Sequence, residues 1–136
     1  MQTTESRVIT QVVACDWQRA YARASNPLHL PRWASGLATS TLARAGAHWR
    51  IDTPAQGPAG LRFAPTNDFG VLDHWVTPDG QAEIYLPFRV IATGPGHCEF
   101  QFTLLRQPQM DDAVFARDAE WIARDLRTLR DLLESG

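Results

Sequence analysis

Between residues 69 and 106 the side chains alternate so regularly that two separate turns impose the same two faces. Thr77-Pro78-Asp79-Gly80 is one turn signal, since proline presets φ and glycine supplies φ > 0. Gly94-Pro95-Gly96 is the other. Pairing Thr77 with Gln81 sets His74 against Ile84 and Leu72 against Leu86. Pairing Thr93 with His97 sets Val90 against Phe100, Phe88 against Phe102 and Leu86 against Leu104. Alternation then gathers Leu72, His74, Val76, Ile84, Leu86 and Phe88 on one face, together with Val90, Cys98, Phe100, Phe102 and Leu104. Asp73, Trp75, Glu83, Tyr85 and Arg89 fall on the other face, with Glu99, Gln101 and Thr103. An antiparallel sheet with one apolar face follows, and that face needs a covering layer.

The C-terminus supplies the layer. Phe115, Ala119, Ile122, Leu126, Leu129 and Leu133 recur at three- and four-residue steps, which predicts one amphipathic helix over 111–134. About 22 residues at 1.5 Å each span roughly 33 Å, enough to cross a sheet. Asp111 and Asp112 suit the positive end of its dipole. Glu120 and Arg124 stand at i,i+4 for an outer ion pair.

The rest of the chain is punctuated into shorter pieces. Residues 1–6 read as a loose end, and 7–14, rich in β-branched types, as a first strand. Asp16 is an expected N-cap for a helix over 17–25, closed by Asn26-Pro27. Leu28, Leu30, Trp33 and Leu37 mark a second short helical piece, broken at Pro31 and closed by Gly36. Residues 41–45, 47–52, 61–64, 69–76, 81–93 and 97–106 read as strands, with 54–60 as a loop. All 136 residues are expected to form one α+β domain.

Hydrophobic residues make up 44% and charged residues 21%, which is globular rather than disordered composition. The net charge of −2 argues against a broad nucleic-acid surface. All thirteen basic residues are arginine, so Schiff-base, P-loop and lysine general-base chemistries are excluded. No window is apolar enough to span a membrane, and residues 1–7 lack the build of a signal peptide. Cys15 and Cys98 form no CxxC, which points to free thiols in the cytoplasm. They approach each other only if the first and last strands pair. GxGxxG, GxSxG and HExxH are all absent. His29, His48, His74 and His97 have no metal-ligand spacing, so neither metal nor cofactor is expected.

The order of strand, two short helices, antiparallel strands and long C-terminal helix resembles the helix-grip fold of the START/Bet v 1-like (SRPBCC) superfamily. Within it, the chain is most similar to the bacterial polyketide cyclase/dehydrase and lipid-transport branch. Three stretches carry the resemblance: 26–34 (Asn-Pro-Leu-His-Leu-Pro-Arg-Trp-Ala), 69–74 (Phe-Gly-Val-Leu-Asp-His), and 100–104 (Phe-Gln-Phe-Thr-Leu) leading into 115–134. It implies a curved antiparallel sheet gripping the long helix, with a cavity for an apolar or aromatic ligand between them. It carries no catalytic motif to transfer.

His74 is the sharpest candidate for chemistry. It is the one strongly polar side chain on the apolar face, where burial favours a neutral imidazole able to take or give a proton. The competing reading is a core histidine satisfied by a backbone carbonyl. Adjacent strand residues point to opposite faces, so an Asp73–His74 dyad is not expected. Asp73, Tyr85 and Arg89 are expected to form a surface network instead. The expected pocket face on the sheet comprises Leu72, Ile84, Leu86, Phe88, Phe100 and Phe102. The helix adds Phe115, Ile122 and Leu126. Trp33, Trp49 and Phe63 are candidates for an aromatic wall, with Leu37 beside them. Leu30 and Asn67 are candidates for the cavity mouth, and Asp68 adjoins Asn67.

Three functions remain open on these residues. The first is binding or carriage of a small hydrophobic or aromatic molecule. The second is a cyclase/dehydratase-type enzyme using pocket polar groups, with His74 as acid or base. The third is a protein-interaction domain with a filled core. Oligomeric state is not encoded in any of these patterns.

Overall fold

The computed structural model describes residues 3–37 and 42–136. β1 (Ser6–Val13) leads into α1 (Trp17–Ala24). Asp16 holds the extended backbone of an N-cap, φ −61° and ψ 138°, but its side chain makes no capping bond. A 3-10 turn over Pro27–His29 is capped by Asn26, whose side chain accepts from the Leu28 N–H. α2 (Leu30–Trp33) follows without a break. Contrary to expectation, Pro31 does not interrupt it, because it lies in the first turn, where a missing N–H costs no helical bond.

Among the described residues, eight strands form two antiparallel sheets. The first has the order β1-β8-β7, with β7 at Phe88–Gly94 and β8 at His97–Leu105. The second runs in sequence order from β2 (Ala43–Ala45) through β3 (His48–Thr53), β4 (Gly57–Phe63) and β5 (His74–Pro78) to β6 (Ile84–Leu86). Residue 41, expected to open β2, lies outside the described residues. β4 begins at Gly57, within the stretch expected to be loop.

The expected strand over 81–93 is divided at Pro87. Without an N–H, Pro87 cannot continue a ladder, and the chain changes sheets there. Its carbonyl still accepts the Thr103 N–H at 2.9 Å, so the two sheets stay joined at the crossing. The pairing of Leu86 with Leu104 is lost for the same reason. Phe88 opposite Phe102 and Val90 opposite Phe100 are as expected.

The first hairpin differs by two residues. His74 pairs with Leu86 and Val76 with Ile84, because Pro78 still belongs to β5 and the turn is correspondingly longer. A shift of two preserves the alternation, so the same side chains face inward. Leu72, His74, Val76, Phe88, Val90, Cys98, Phe100, Phe102 and Leu104 are all buried.

Residues 69–73 are not strand. They form a tight loop tied to β7 by a single bridge, Val71 to Arg89. Asn67 organises the loop: its Oδ1 accepts from the Phe69 and Val71 N–H groups, and its Nδ2 donates to the Pro65 and Val71 carbonyls. Gly70 adopts φ +71° and lies so close to the Val90 carbonyl that a Cβ would collide with it. Only glycine meets both demands.

α3 (Asp112–Ser135) is N-capped by Asp111, which accepts the Val114 N–H at 2.8 Å. Its stripe of Phe115, Ala119, Leu126, Leu129 and Leu133 is buried. Leu126, Leu129 and Leu133 join the main core under the sheets, while Phe115 and Ala119 meet Leu104 in a smaller cluster. The expected Glu120–Arg124 pair does not form. Arg124 lies instead over the Trp121 ring, 5.6 Å from its centroid. No helix among the described residues is long and apolar enough to cross a membrane.

Candidate ligand-binding cavity

A cavity of about 150 Å³ lies between α3, the loop after α2 and the inner faces of β5, β6 and β8. Its apolar wall includes Val76, Ile84, Leu86, Phe102, Ile122 and Leu126. Trp33 and Trp121 add aromatic surface, and Gln56, Gln107 and Met110 border it nearer solvent. A cavity of this volume accepts a benzene-sized guest. A lipid or an extended polyketide needs several times more room.

Of the residues expected at the pocket, the structure brings Trp33, His74, Ile84, Leu86 and Phe102 to this cavity with Ile122 and Leu126. Leu37 is there as well. Phe88 and Phe100 sit behind the wall, stacked 5.5 Å apart in the core. Phe115 belongs to the smaller cluster with Leu104. Trp49, Phe63 and Leu72 border a separate depression of about 160 Å³ beside Tyr21 and Ser25. Leu30 is buried in the main core. Asn67 holds its own loop and accepts no part in either wall. Asp68 is exposed.

His74 is 3% exposed and surrounded by rings, with Phe63, Phe88 and Phe102 at centroid distances of 5.4, 6.1 and 5.8 Å. Its Nδ1 lies 3.1 Å from the Leu72 carbonyl. A carbonyl only accepts, so Nδ1 carries the proton and donates. Burial lowers the pKa to about 4, against the opposing pulls of the Leu72 bond and the Asp73 charge. The ring is therefore neutral at pH 7, and Nε2 holds a free lone pair. No described residue hydrogen-bonds that nitrogen.

Asp73 stands on the opposite face, as expected, but is buried (6% exposed) rather than a surface group. It accepts from the Tyr85 hydroxyl at 2.6 Å, the Phe88 N–H at 2.8 Å, and Arg89 Nε and Nη2 at 2.9 Å each. Burial alone pushes its pKa up. The bonds from Arg89, Tyr85 and the Phe88 N–H outweigh that and hold the carboxyl below its usual range. This network ties β6 to β7 across Pro87 and does not reach the cavity.

Asp125 was not among the sequence candidates. It is a buried carboxylate in the α3 wall of the cavity. It accepts from Ser35 Oγ at 2.6 Å and the Gly36 N–H at 2.9 Å, and Trp121 Nε1 donates to the same Ser35 Oγ at 3.0 Å. Burial raises its pKa, partly opposed by those bonds. A signal was available: Asp118, Trp121, Ile122, Asp125 and Leu126 share one helical face, so a cavity under Ile122 and Leu126 also meets the two aspartates. Trp33 also borders the cavity. Its indole N–H is buried and has no partner.

Cys15 and Cys98 are both buried and free. β1 pairs with β8 and places Val13 opposite Cys98. Burial, reinforced by Cys15 and Asp16, pushes the Cys98 thiol up to about 11, so it is protonated and a poor nucleophile. Among the described residues no cluster of His, Cys, Asp or Glu is placed to hold a metal ion.

No family model and no curated protein matches the sequence. Solved structures match over nearly the whole chain. A START superfamily protein from Mycobacterium smegmatis superposes with a TM-score of 0.72 at 16% identity, covering 96% of this chain and 97% of that one. XoxI from Bacillus cereus superposes with a TM-score of 0.72 at 9% identity, covering 94% of each. DynU16, a protein in the dynemicin biosynthetic locus, gives 0.72 at 13% identity, covering 98% of this chain and 49% of its own. At these identities the agreement is one of fold. The chain has the START/SRPBCC-like helix-grip fold, an α+β arrangement of antiparallel strands around a long C-terminal helix.

Proposed function

We propose that this protein binds and carries a small, mainly apolar or aromatic molecule in the cavity between the sheets and α3. The observation that carries this reading is the unfilled volume of about 150 Å³ walled by Ile84, Leu86, Phe102, Ile122 and Leu126. Removing apolar ligand surface from water drives the binding, at roughly 25 cal/mol per Å². The cavity favours this reading over an interaction domain with a filled core. Its size limits the guest to about one ring unless Trp33 or Trp121 moves. The whole chain, 1–136, acts as one helix-grip domain in this account. The free, buried thiols support a cytoplasmic setting.

Native mass spectrometry of freshly purified protein, followed by denaturing extraction, tests the proposal. One retained small molecule per chain is the expected result. Ile122→Trp, which fills the cavity, should abolish retention while the far-UV circular dichroism stays unchanged. An apo mass, together with no change in Trp fluorescence across a panel of apolar and aromatic compounds, would overturn it.

A second reading has one observation in its favour. His74 is a neutral imidazole with a free Nε2, and it faces a cavity whose opposite wall holds Asp125. That pair is the equipment of a cyclase or dehydratase that removes and returns a proton. Under that reading His74→Phe lowers turnover of an enolisable substrate by about 10²–10⁴-fold, whereas a carrier has no turnover to lose.

A further inference from the structure

One buried polar atom on the cavity wall constrains what a guest must offer. His74 Nε2 accepts and has no partner among the described residues, because Nδ1 is committed to the Leu72 carbonyl. The Trp33 indole N–H has none either, but it is buried out of reach of a guest. A buried polar group left without a partner is costly, so a guest that donates to His74 Nε2 is favoured over one that does not.

Charge narrows the choice. The chain has thirteen arginines, yet none lines the cavity, while two aspartates, Asp118 and Asp125, do. A carboxylate, sulfate or phosphate entering here would leave water, meet no unpaired cation and face Asp125, Asp118 being already paired with Arg117. It also only accepts, so His74 Nε2 would stay unpaired. An ammonium would lose its hydration here and meet no unpaired carboxylate, since Asp118 is paired with Arg117 at 3.1 Å. The Asp125 carboxylate is already satisfied by Ser35 and Gly36. A hydroxyl both donates and accepts.

We infer that the cavity selects an uncharged monocyclic aromatic bearing a hydroxyl group, a phenol, whose O–H donates to His74 Nε2. This rests on the binding function proposed above and adds the chemical class of the ligand. It excludes fatty acids and other anionic amphiphiles from this site.

Four probes of one shape separate the possibilities: toluene, p-cresol, 4-methylbenzoate and 4-methylbenzylamine. Affinities are read at pH 7 by calorimetry, with Trp fluorescence as a second signal. p-Cresol is expected to bind about three- to tenfold more tightly than toluene, the yield of one hydrogen bond in an apolar site. 4-Methylbenzoate is expected not to bind. The ¹⁵N resonance of unprotonated His74 Nε2 should move upfield with p-cresol and stay in place with toluene. In His74→Phe the ratio of p-cresol to toluene affinity should fall to about one. The wild-type ratio and the ¹⁵N shift keep the test valid if that variant does not fold.

Toluene binding as tightly as p-cresol overturns the inference and leaves the apolar cavity standing. Binding of neither overturns the inference and the carrier function together. 4-Methylbenzoate binding as tightly as p-cresol contradicts the charge argument. 4-Methylbenzylamine binding more tightly than p-cresol would reassign the site to cations, with Asp125 as their partner.

Discussion

Two buried ionisable residues sit next to each other in the chain and behave oppositely. His74 stays uncharged because nothing of opposite charge is close enough to repay its desolvation. Asp73 stays charged because Arg89 and Tyr85 do repay it. Sequence alternation placed them on opposite faces correctly. It could not show that Asp73 is buried, since that depends on Tyr85 and Arg89 closing over it from a neighbouring strand and across Pro87. For His74 the folded pKa is about 4 against an ordinary 6.5. Between those values the unfolded chain binds a proton that the folded chain refuses, so stability falls as pH drops through the window. Above 6.5 neither state is protonated there, and the full contribution is present. The loss reaches about 3 kcal/mol near pH 4. Urea denaturation from pH 7 to 4.5 should show it, and His74→Phe should remove that share of the slope. An unchanged slope in the variant would place the acid sensitivity elsewhere. Asp73→Ala should cost about 2–4 kcal/mol, since it strands the buried Phe88 N–H and frees Tyr85 and Arg89. Arg89→Ala should cost about 1 kcal/mol, because its side chain is 47% exposed and the pair is screened by solvent. Equal losses in the two variants would mean that the ion pair, not the backbone bond, holds the network.

The elements were legible wherever one periodicity ran without interruption. α3 and the inward set of β5, β7 and β8 follow from alternation and helical stripes alone. What alternation does not encode is where a strand leaves one sheet for another. Pro87 was visible in the sequence, but its effect depends on β8 standing alongside to take over the pairing. The stretch 69–73 looked like strand because its residue types are strand-like. Asn67 overrides that preference with four hydrogen bonds, and Gly70 with a backbone only glycine tolerates there. Gly70→Ala therefore meets two penalties, positive φ and a collision with the Val90 carbonyl. It should lower stability by about 2–4 kcal/mol. Gly80 also has a positive φ, +74°, but nothing lies near its missing Cβ. Gly80→Ala should cost only about 1 kcal/mol. Thermal melts of the two variants check the difference, and similar shifts would show that the loop can move away from β7.

At the scale of the molecule, the fold leaves a void where a domain built only for stability would be filled. Interiors are close-packed, so a cavity of about 150 Å³ represents lost contacts that a smaller or better-filled core would keep. Its walls were largely legible: Trp33, His74, Ile84, Leu86, Phe102, Ile122 and Leu126 were all sequence candidates. Its boundary was not, because Phe88 and Phe100 lie on the same sheet face yet are covered by other side chains. Asp125 escaped notice because the stripe of α3 reads as complete without it. Filling the cavity from the protein side should stabilise the fold or leave it unchanged, provided the added atoms fit. Leu86→Phe tests this, with an expected change between about −1 and +1 kcal/mol. A loss of more than about 3 kcal/mol would mean that no space is there to fill.

The most direct test is crystallographic. Crystals of the protein pressurised with xenon should show one dominant site between Leu86, Phe102, Ile122 and Leu126, since xenon occupies apolar cavities of this size without needing a hydrogen bond. Density for xenon there would establish an accessible apolar cavity under α3. Well-ordered side chains closing over that volume, with no xenon peak, would contradict the account at its centre.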